Sequence, residues 1–179
     1  ILASLLVAMA SVALIDAFVS PGFMVLARRV RRGPLVLAEI VLLSRRLGDA
    51  NTEMHSGKWN KSADGANEIR GKTLGIVGYG HIGTQLGIIA EGMGMRVIFQ
   101  DIENKLPLGN AEARADLESL LQEADVVSLH VPDTAQTRNL VSARVIRTMR
   151  KGSFLINASR GTVVDIDALA KALKSGHIA

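Results

Sequence analysis

Three glycines at fixed spacing are the residues of this sequence whose pattern first suggests chemistry. Gly78, Gly80 and Gly83 lie in the stretch GIVGYGHIG, directly after a short apolar run. The first glycine permits a tight turn, the second lets bare main chain approach a diphosphate, and the third lets a helix pack against the preceding strand. The amides of His81 and Ile82 would then open the helix with partial positive charge. The spacing therefore predicts a turn that binds a diphosphate.

An acidic residue follows this turn at the distance that a dinucleotide site requires. Asp101 comes 18 residues after Gly83, at the end of a second apolar run. A carboxylate roughly 20 residues on accepts hydrogen bonds from ribose hydroxyls and repels a 2′-phosphate. Ile102 and Glu103 come next, so no arginine stands ready for such a phosphate. The pattern predicts NAD rather than NADP, and the alternative is a tight turn that binds no ligand.

A further candidate group is Arg160, which follows an apolar run in the stretch NASRG. At the carboxyl end of a strand, its guanidinium could hold a carboxylate or a carbonyl oxygen by paired hydrogen bonds. Such a group suits hydride transfer at a 2-hydroxy or 2-oxo acid. The alternative is that Arg160 is a surface arginine in a loop, which the same sequence pattern would fit. His130 ends another apolar run. It would line the cofactor pocket rather than transfer protons, or else be a buried histidine with satisfied hydrogen bonds.

Composition excludes several other kinds of chemistry. The 179 residues include no cysteine, which excludes disulfides, thiolate metal sites and a cysteine nucleophile, and suits a cytoplasmic location. No metal-ligand spacing and no G-x-S-x-G elbow occurs. The net charge is +4, of which residues 1–34 contribute +3 and residues 35–179 contribute +1. Because the main part of the chain is nearly neutral, we expect a small-molecule substrate and no nucleic acid.

The first 34 residues differ from the rest of the chain. Their uncharged apolar run ends at Asp16, short of the roughly 18–20 residues of a membrane span, and four arginines follow. We expect a buried helix there rather than a membrane or signal segment. Because residue 1 is isoleucine, a fragment or a processed chain is expected. Residues 1–34 are left unassigned, and residues 35–179 are predicted to be a partial nucleotide-binding domain.

From the break at Pro34 onward, hydrophobic patterning predicts regular elements. A helix is expected over 35–59, with Leu35, Ala38, Val41, Leu42 and Leu47 on an apolar face that would pack on the core or on a second subunit. Strands are expected at 73–79, 95–101, 125–131 and 153–159, with helices at 81–94, 115–124, 142–150 and after an N-cap at Asp165. Residues 103–113 would be a loop. Alternating strands and helices predict an α/β fold with a doubly wound parallel sheet, Rossmann-like. Since four strands are fewer than six, the sheet would be incomplete at its C-terminal end.

The motifs also resemble a known family. The stretches GKTLGIVGYGHIGTQLG, DIENKLPLGNA, SLHVP and LINASRGTVVD resemble the D-isomer-specific 2-hydroxyacid dehydrogenases over residues 35–179. HSGKWNK and DIENKLPLGNA are typical of the branch acting on 3-phosphoglycerate rather than on glyoxylate, formate or D-lactate. The resemblance implies oxidation of 3-phosphoglycerate to 3-phosphohydroxypyruvate with NAD, in serine biosynthesis. It implies that Arg160 is catalytic, and that the cofactor also contacts His81, Ile82, Asp101, His130, Val131, Pro132, Ala158, Ser159 and Arg160.

The same resemblance has limits. The catalytic glutamate and the histidine acid/base of that family have no counterpart in these residues, so we expect this chain alone to be inactive. Residues 1–34 do not match the family. Members are homo-oligomers that pair through the helix corresponding to 35–47, and we expect self-association here. Alternatives are a non-catalytic NAD(H)-binding sensor or corepressor-like module, another 2-hydroxyacid dehydrogenase, or a fragment that does not fold alone.

Overall fold

The computed structural model describes residues 32–179, and the predictions for residues 1–31 lie outside the described residues. The helices are α1 Arg32–Ser44, α2 Leu47–His55, α3 His81–Gly92, α4 Leu117–Glu123, α5 Ala143–Thr148 and α6 Ile166–Lys174, with a short 3-10 helix at Gly161–Val163. The strands are β1 Thr73–Val77, β2 Arg96–Gln100, β3 Glu112–Ala113, β4 Val126–Leu129 and β5 Phe154–Asn157. None of the helices within 32–179 is both long enough and apolar enough to cross a membrane.

The strands form one parallel sheet in the order β3-β2-β1-β4-β5. This order confirms the predicted doubly wound α/β fold, and it matches the first five strands of a six-stranded Rossmann sheet. Strands are added on one side of β1 up to β3 and on its other side from β4 onward, so the strand order reverses between β1 and β4. In open parallel sheets, ligands bind outside the carboxyl ends of the strands at this switch point.

The prediction of four strands was wrong, because β3 forms within the predicted loop at 103–113. Glu112 and Ala113 pair with Ile98 and Phe99 of β2, and the main-chain amide of Arg114 donates to the carbonyl of Phe99 at 2.8 Å. Both β3 residues are exposed, so they carry no apolar alternation. A two-residue strand on the rim of a sheet is specified by its partner rather than by its own side chains.

Two apolar layers cover the sheet. On one face, α1 and α3 contribute Val36, Ile40, Leu86 and Ala90, and on the other α4, α5 and α6 contribute Leu120, Leu121, Val145, Ile146 and Ala172. Every residue of β1 is buried, which is typical of a central parallel strand. The core is almost wholly aliphatic, with Tyr79 stacked on Phe99 at a centroid distance of 3.8 Å.

The prediction of one helix over 35–59 was also wrong. The helix is interrupted at Arg45 and Arg46, and Arg46 takes a left-handed conformation with φ of 52°. Its guanidinium bonds Asp49 and the carbonyl of Asp64, which holds this turn in place. Pro34 does not break the chain, because it lies in the first turn of α1, where its missing N–H has no helical partner.

The buried face of α1 differs from the predicted one. Gly33, Val36, Ile40 and Ser44 are buried, whereas Ala38, Leu42 and Leu47 are exposed. The predicted stripe therefore does not pack on the core as a whole. The predicted N-cap at Asp165 is confirmed, since its carboxylate accepts from the amide of Ala168 at 3.0 Å.

Candidate functional site

The glycine turn between β1 and α3 has the geometry that a diphosphate requires. Gly78 has φ of 92°, and a Cβ there would lie 2.9 Å from the main chain of His130. A Cβ on Gly83 would lie 2.4 Å from the carbonyl oxygen of Gly78, so the helix packs directly on the turn. At Gly80, by contrast, a Cβ would meet nothing within 4 Å. The mouth of α3 is therefore bare main chain facing open space.

The first turn of α3 has no side-chain cap. Gly80 is the N-cap residue in an extended conformation and offers no side-chain acceptor. The amides of His81 and Ile82 thus lie at a helix start that carries partial positive charge. His81 is exposed. Its contribution to this turn is therefore its main-chain amide rather than its ring.

Asp101 lies beside the glycine turn rather than away from it. Its Oδ2 accepts a hydrogen bond from the main-chain amide of Tyr79 at 2.7 Å, and its Oδ1 accepts from that of Glu103 at 3.0 Å. Each carboxylate oxygen can accept more than one hydrogen bond, so capacity remains for two ribose hydroxyls. Lys105, the nearby cation, is paired with Glu103.

His130 follows β4 at the switch point, and its imidazole is turned into the protein. Its Nε2 is 2.9 Å from the hydroxyl of Ser128, which is fully buried, and its Nδ1 is buried without a hydrogen-bond partner among the described residues. Burial lowers the pKa of His130 to about 4, so the ring is neutral at pH 7. An inward-facing imidazole with so low a pKa is a weak base and is poorly suited to proton transfer.

The loops after β4 and β5 are joined by side-chain hydrogen bonds. The amide of Val131 donates to the hydroxyl of Ser159 at 3.0 Å, and Ser159 is 6% exposed. The carbonyl of Pro132 accepts from the hydroxyl of Thr137 at 2.6 Å, which closes the β4 loop. Ala158 packs on the α1–α3 face of the sheet. The structure thus places Val131, Pro132, Ala158 and Ser159 at the same carboxyl edge as the glycine turn.

Arg160 is exposed at the end of this edge. Its guanidinium donates to the neighbouring carbonyl of Ser159 at 3.1 Å, and no described residue forms an ion pair with it. The cation is therefore available for a carboxylate. Asn157 was not predicted as a site residue, yet its carboxamide accepts from the amide of Ser159 and donates to the carbonyl of Arg160. An asparagine two residues before a serine, after a strand, is the local signal for such a turn.

The sequence analysis also missed the supports of the loop after β2. Tyr79 is 2% exposed and its hydroxyl accepts from the amide of Leu108, while Glu91 accepts from the amide of Asn110. Burial raises the pKa of Tyr79, which keeps the phenol protonated. Ile102, directly after Asp101, is 97% exposed. This loop presents an apolar residue beside the Asp101 carboxylate.

A cavity of about 240 Å³ lies at the opposite edge of the sheet, by the amino ends of β1, β4 and β5. Lys72, Asp125, Arg150 and Ser153 are among the residues that line it. It is separate from the glycine turn. Within residues 32–179, no three histidine or carboxylate side chains gather as metal ligands.

Most of the described chain matches a known protein family. A family model described as "D-isomer specific 2-hydroxyacid dehydrogenase, NAD binding domain" matches residues 37–179. The chain belongs to this family. The resemblance noted in the motifs is thereby confirmed, and so is NAD as the cofactor of the domain.

Individual relatives agree with the family assignment. D-3-phosphoglycerate dehydrogenase from Haemophilus influenzae is 62% identical over 144 residues, covering 80% of this chain and 35% of the relative. The enzyme of that name from Dictyostelium discoideum is 55% identical over 145 residues, covering 81% of this chain and 36% of the relative. The D-lactate dehydrogenase of Aquifex aeolicus, solved with NAD and lactic acid, is 31% identical with a TM-score of 0.75, covering 82% of this chain and 44% of that one. The chain spans about a third of the length of these curated relatives.

Proposed function

We propose that the chain binds NAD along the carboxyl edge of its sheet, within an enzyme that oxidises 3-phosphoglycerate to 3-phosphohydroxypyruvate. The observation that carries this proposal is the open mouth of α3 at Gly80 with the Asp101 carboxylate beside it. The diphosphate would lie against the amides of His81 and Ile82, between Gly78 and Gly83. The ribose hydroxyls would donate to Asp101, and the exposed Ile102 would cover the adenine.

The nicotinamide end would lie across the β4 and β5 loops. Val131, Pro132, Ala158, Ser159 and the carbon atoms of His130 would form that part of the site. When bound, NAD supplies the hydride acceptor of the reaction. The substrate's C2 loses a hydride, and its hydroxyl proton must pass to a base.

Arg160 is the residue proposed to act on the substrate. Its unpaired guanidinium would bind the carboxylate in a bidentate manner and stabilise charge on the oxygen that becomes the carbonyl. His130 does not serve as the base, because a pKa of about 4 makes it a weak proton acceptor and its Nε2 is bonded to Ser128. Loss of general-base catalysis slows such a step by roughly 10²–10⁴-fold. We therefore expect this chain alone to bind its ligands but to transfer hydride slowly.

The substrate proposal is supported by the names of the two relatives that share 62% and 55% of the aligned residues. The lactic acid in the Aquifex structure is likewise a 2-hydroxy acid. The non-catalytic alternative lacks a specific observation in its favour, whereas an exposed, unpaired arginine favours a carboxylate ligand. Binding of 3-phosphohydroxypyruvate, pyruvate and glyoxylate to the NADH-loaded chain would rank the possible substrates.

We also propose that the protein is a cytoplasmic homo-oligomer. Two exposed leucines support pairing with a second copy: Leu42 on α1 at 46% exposure and Leu47 at the start of α2 at 44%. The absence of cysteine supports a reducing compartment.

The test of cofactor binding is a fluorescence titration with NADH on the wild-type chain and on Gly80→Ala. A Cβ at Gly80 touches no protein atom, so the variant should fold normally, yet it would occupy the space of the diphosphate. We expect the Kd to rise at least about tenfold, equivalent to about 1.4 kcal/mol. Gly48→Ala adds the same methyl group in open space on α2 and should leave the Kd unchanged. If the wild type shows no saturable binding of NADH, or if Gly80→Ala binds NADH with the same Kd, the proposed diphosphate site is wrong.

A further inference from the structure

Asn157, the last residue of β5, uses its whole carboxamide on the turn that carries Arg160. Its Oδ1 accepts from the amide of Ser159 at 3.0 Å, and its Nδ2 donates to the carbonyl of Arg160 at 2.8 Å. These two contacts require opposite polarities, and the carboxamide supplies both. One side chain therefore holds the Ala158–Ser159 peptide group and the Arg160–Gly161 peptide group, which bracket the segment that carries Arg160.

The same turn is anchored from other directions. The carbonyl of Arg160 also accepts from the amide of Val163 at 3.1 Å, at the end of the 3-10 helix. The Ser159 hydroxyl receives the amide of Val131 from the β4 loop. Thr162 bonds the carboxylate of Asp133 at 2.9 Å, which is a second link between the two loops. The carbonyl of Arg160 is thus held by Asn157 from β5 and by Val163 from the 3-10 helix.

The side chain of Arg160 has no comparable support. Within residues 32–179 it forms no ion pair, and its hydrogen bond goes to the carbonyl of the preceding residue. A long, exposed arginine without a partner reaches a fixed point only if its Cα is fixed. The position of the guanidinium over the sheet edge then depends on the turn rather than on neighbouring side chains.

We infer that Asn157 is a positioning residue, which holds the Arg160 main chain so that the guanidinium meets the substrate carboxylate at the crevice. This inference rests on the proposed function for the role of Arg160, and it adds the residue through which that role is set. The carboxamide matters because neither a carboxylate nor an aliphatic group can both accept from the amide of Ser159 and donate to the carbonyl of Arg160.

The first measurement needs no ligand. In ¹⁵N relaxation of the chain, the Arg160 amide should have an order parameter of about 0.85 in the wild type and below about 0.6 in Asn157→Ala. Asn157→Asp retains the acceptor for Ser159 and loses the donor, and it should be intermediate. Asn67→Ala removes a side-chain bond to the carbonyl of Gly65 far from the crevice and should leave Arg160 unchanged. An Arg160 amide that stays rigid in Asn157→Ala overturns the inference.

The second measurement uses the NADH-loaded chain titrated with 3-phosphohydroxypyruvate. Asn157→Ala should raise the Kd of the oxo acid at least about tenfold while changing the Kd of NADH less than about threefold. In Arg160→Gln, adding Asn157→Ala should produce no further loss, because a positioning residue acts through the arginine. Additive losses would overturn the inference. If the wild type binds NADH but no oxo acid, while Asn157→Ala still loosens Arg160, the substrate proposal fails and the positioning of the turn stands.

Discussion

The carboxylate of Asp101 and the main-chain amide of Tyr79 are joined by a hydrogen bond of 2.7 Å. Tyr79 is the residue between the first two glycines of the turn, so the acid at the end of β2 is fixed to the loop at the end of β1. The contacts proposed for the ribose and for the diphosphate are therefore linked by this hydrogen bond. Cofactor preference should respond to the charge of residue 101 while the glycine turn keeps its bond to that residue.

Removing that charge should weaken discrimination against NADPH. Asp101→Asn keeps one oxygen that can accept from the Tyr79 amide, loses the acceptor for the Glu103 amide, and no longer repels a 2′-phosphate. We expect the ratio of NADPH to NADH Kd to fall at least about tenfold in competitive titrations, or about 1.4 kcal/mol. Asp49→Asn, on the exposed surface of α2, is the matched control. An unchanged ratio in Asp101→Asn would show that the carboxylate does not face the ribose.

The third glycine should matter for stability, in contrast to the second. A Cβ on Gly83 would lie 2.4 Å from the carbonyl oxygen of Gly78, which is main chain and cannot move aside. Gly83→Ala should lower the free energy of unfolding by about 1–3 kcal/mol, as overpacking does. Gly92→Ala, at the end of the same helix, meets nothing within 4 Å and should be neutral or slightly stabilising. Urea unfolding of both variants gives the comparison, and equal stabilities would contradict the packing described.

These glycines show what could be predicted from the sequence. The role of Gly83 depends on contacts within one strand–turn–helix unit, the turn at Gly78 depends on its own positive φ, and the Asp165 cap depends on residues three apart. Local patterns carry that information. The pairing of Glu112 and Ala113 with β2, the left-handed Arg46 and the buried face of α1 depend on distant partners, so periodicity alone could not reveal them. Asn157 was missed because its function lies in main-chain contacts.

The exposed side of α1, together with Leu47 at the start of α2, should mediate self-association. In the double variant Leu42→Glu/Leu47→Glu, two negative charges replace apolar side chains that are 46% and 44% exposed. An oligomer that buries these residues should dissociate to monomers in light scattering, because the buried charges would be unpaired. Ile166→Glu changes an exposed isoleucine in the first turn of α6 and should leave the oligomer intact. A wild-type chain that is already monomeric at micromolar concentration would contradict the proposal.

Glu39 on α1 should make stability depend on pH. Burial raises the pKa of Glu39 to about 7 from 4.5, so the folded state holds a proton that the unfolded state releases. Its contribution is most favourable below pH 4.5 and is lost as the pH rises toward 7. Relative to the wild type, the free energy of unfolding of Glu39→Gln should rise by about 1–2 kcal/mol as the pH goes from 5 to 8. This magnitude allows for solvent screening of a partly exposed group.

The measurement is urea unfolding of both proteins across that pH range. Glu53→Gln, which changes a half-buried glutamate on α2, is the control and should differ from the wild type by the same amount at every pH. A constant difference between Glu39→Gln and the wild type from pH 5 to pH 8 would show that Glu39 ionises normally in the folded chain.

The contact between Gly78 and the main chain of His130 has a kinetic consequence. With only 2.9 Å between a Cβ position on the glycine and the histidine carbonyl, the two central strands meet without a gap at their carboxyl ends. Because these strands are already in contact, a dinucleotide would not have to separate them. It would bind directly to the preformed surface at their carboxyl ends. Loading should then be a single second-order step, its observed rate rising linearly with ligand concentration in stopped flow and showing no plateau from a slow opening.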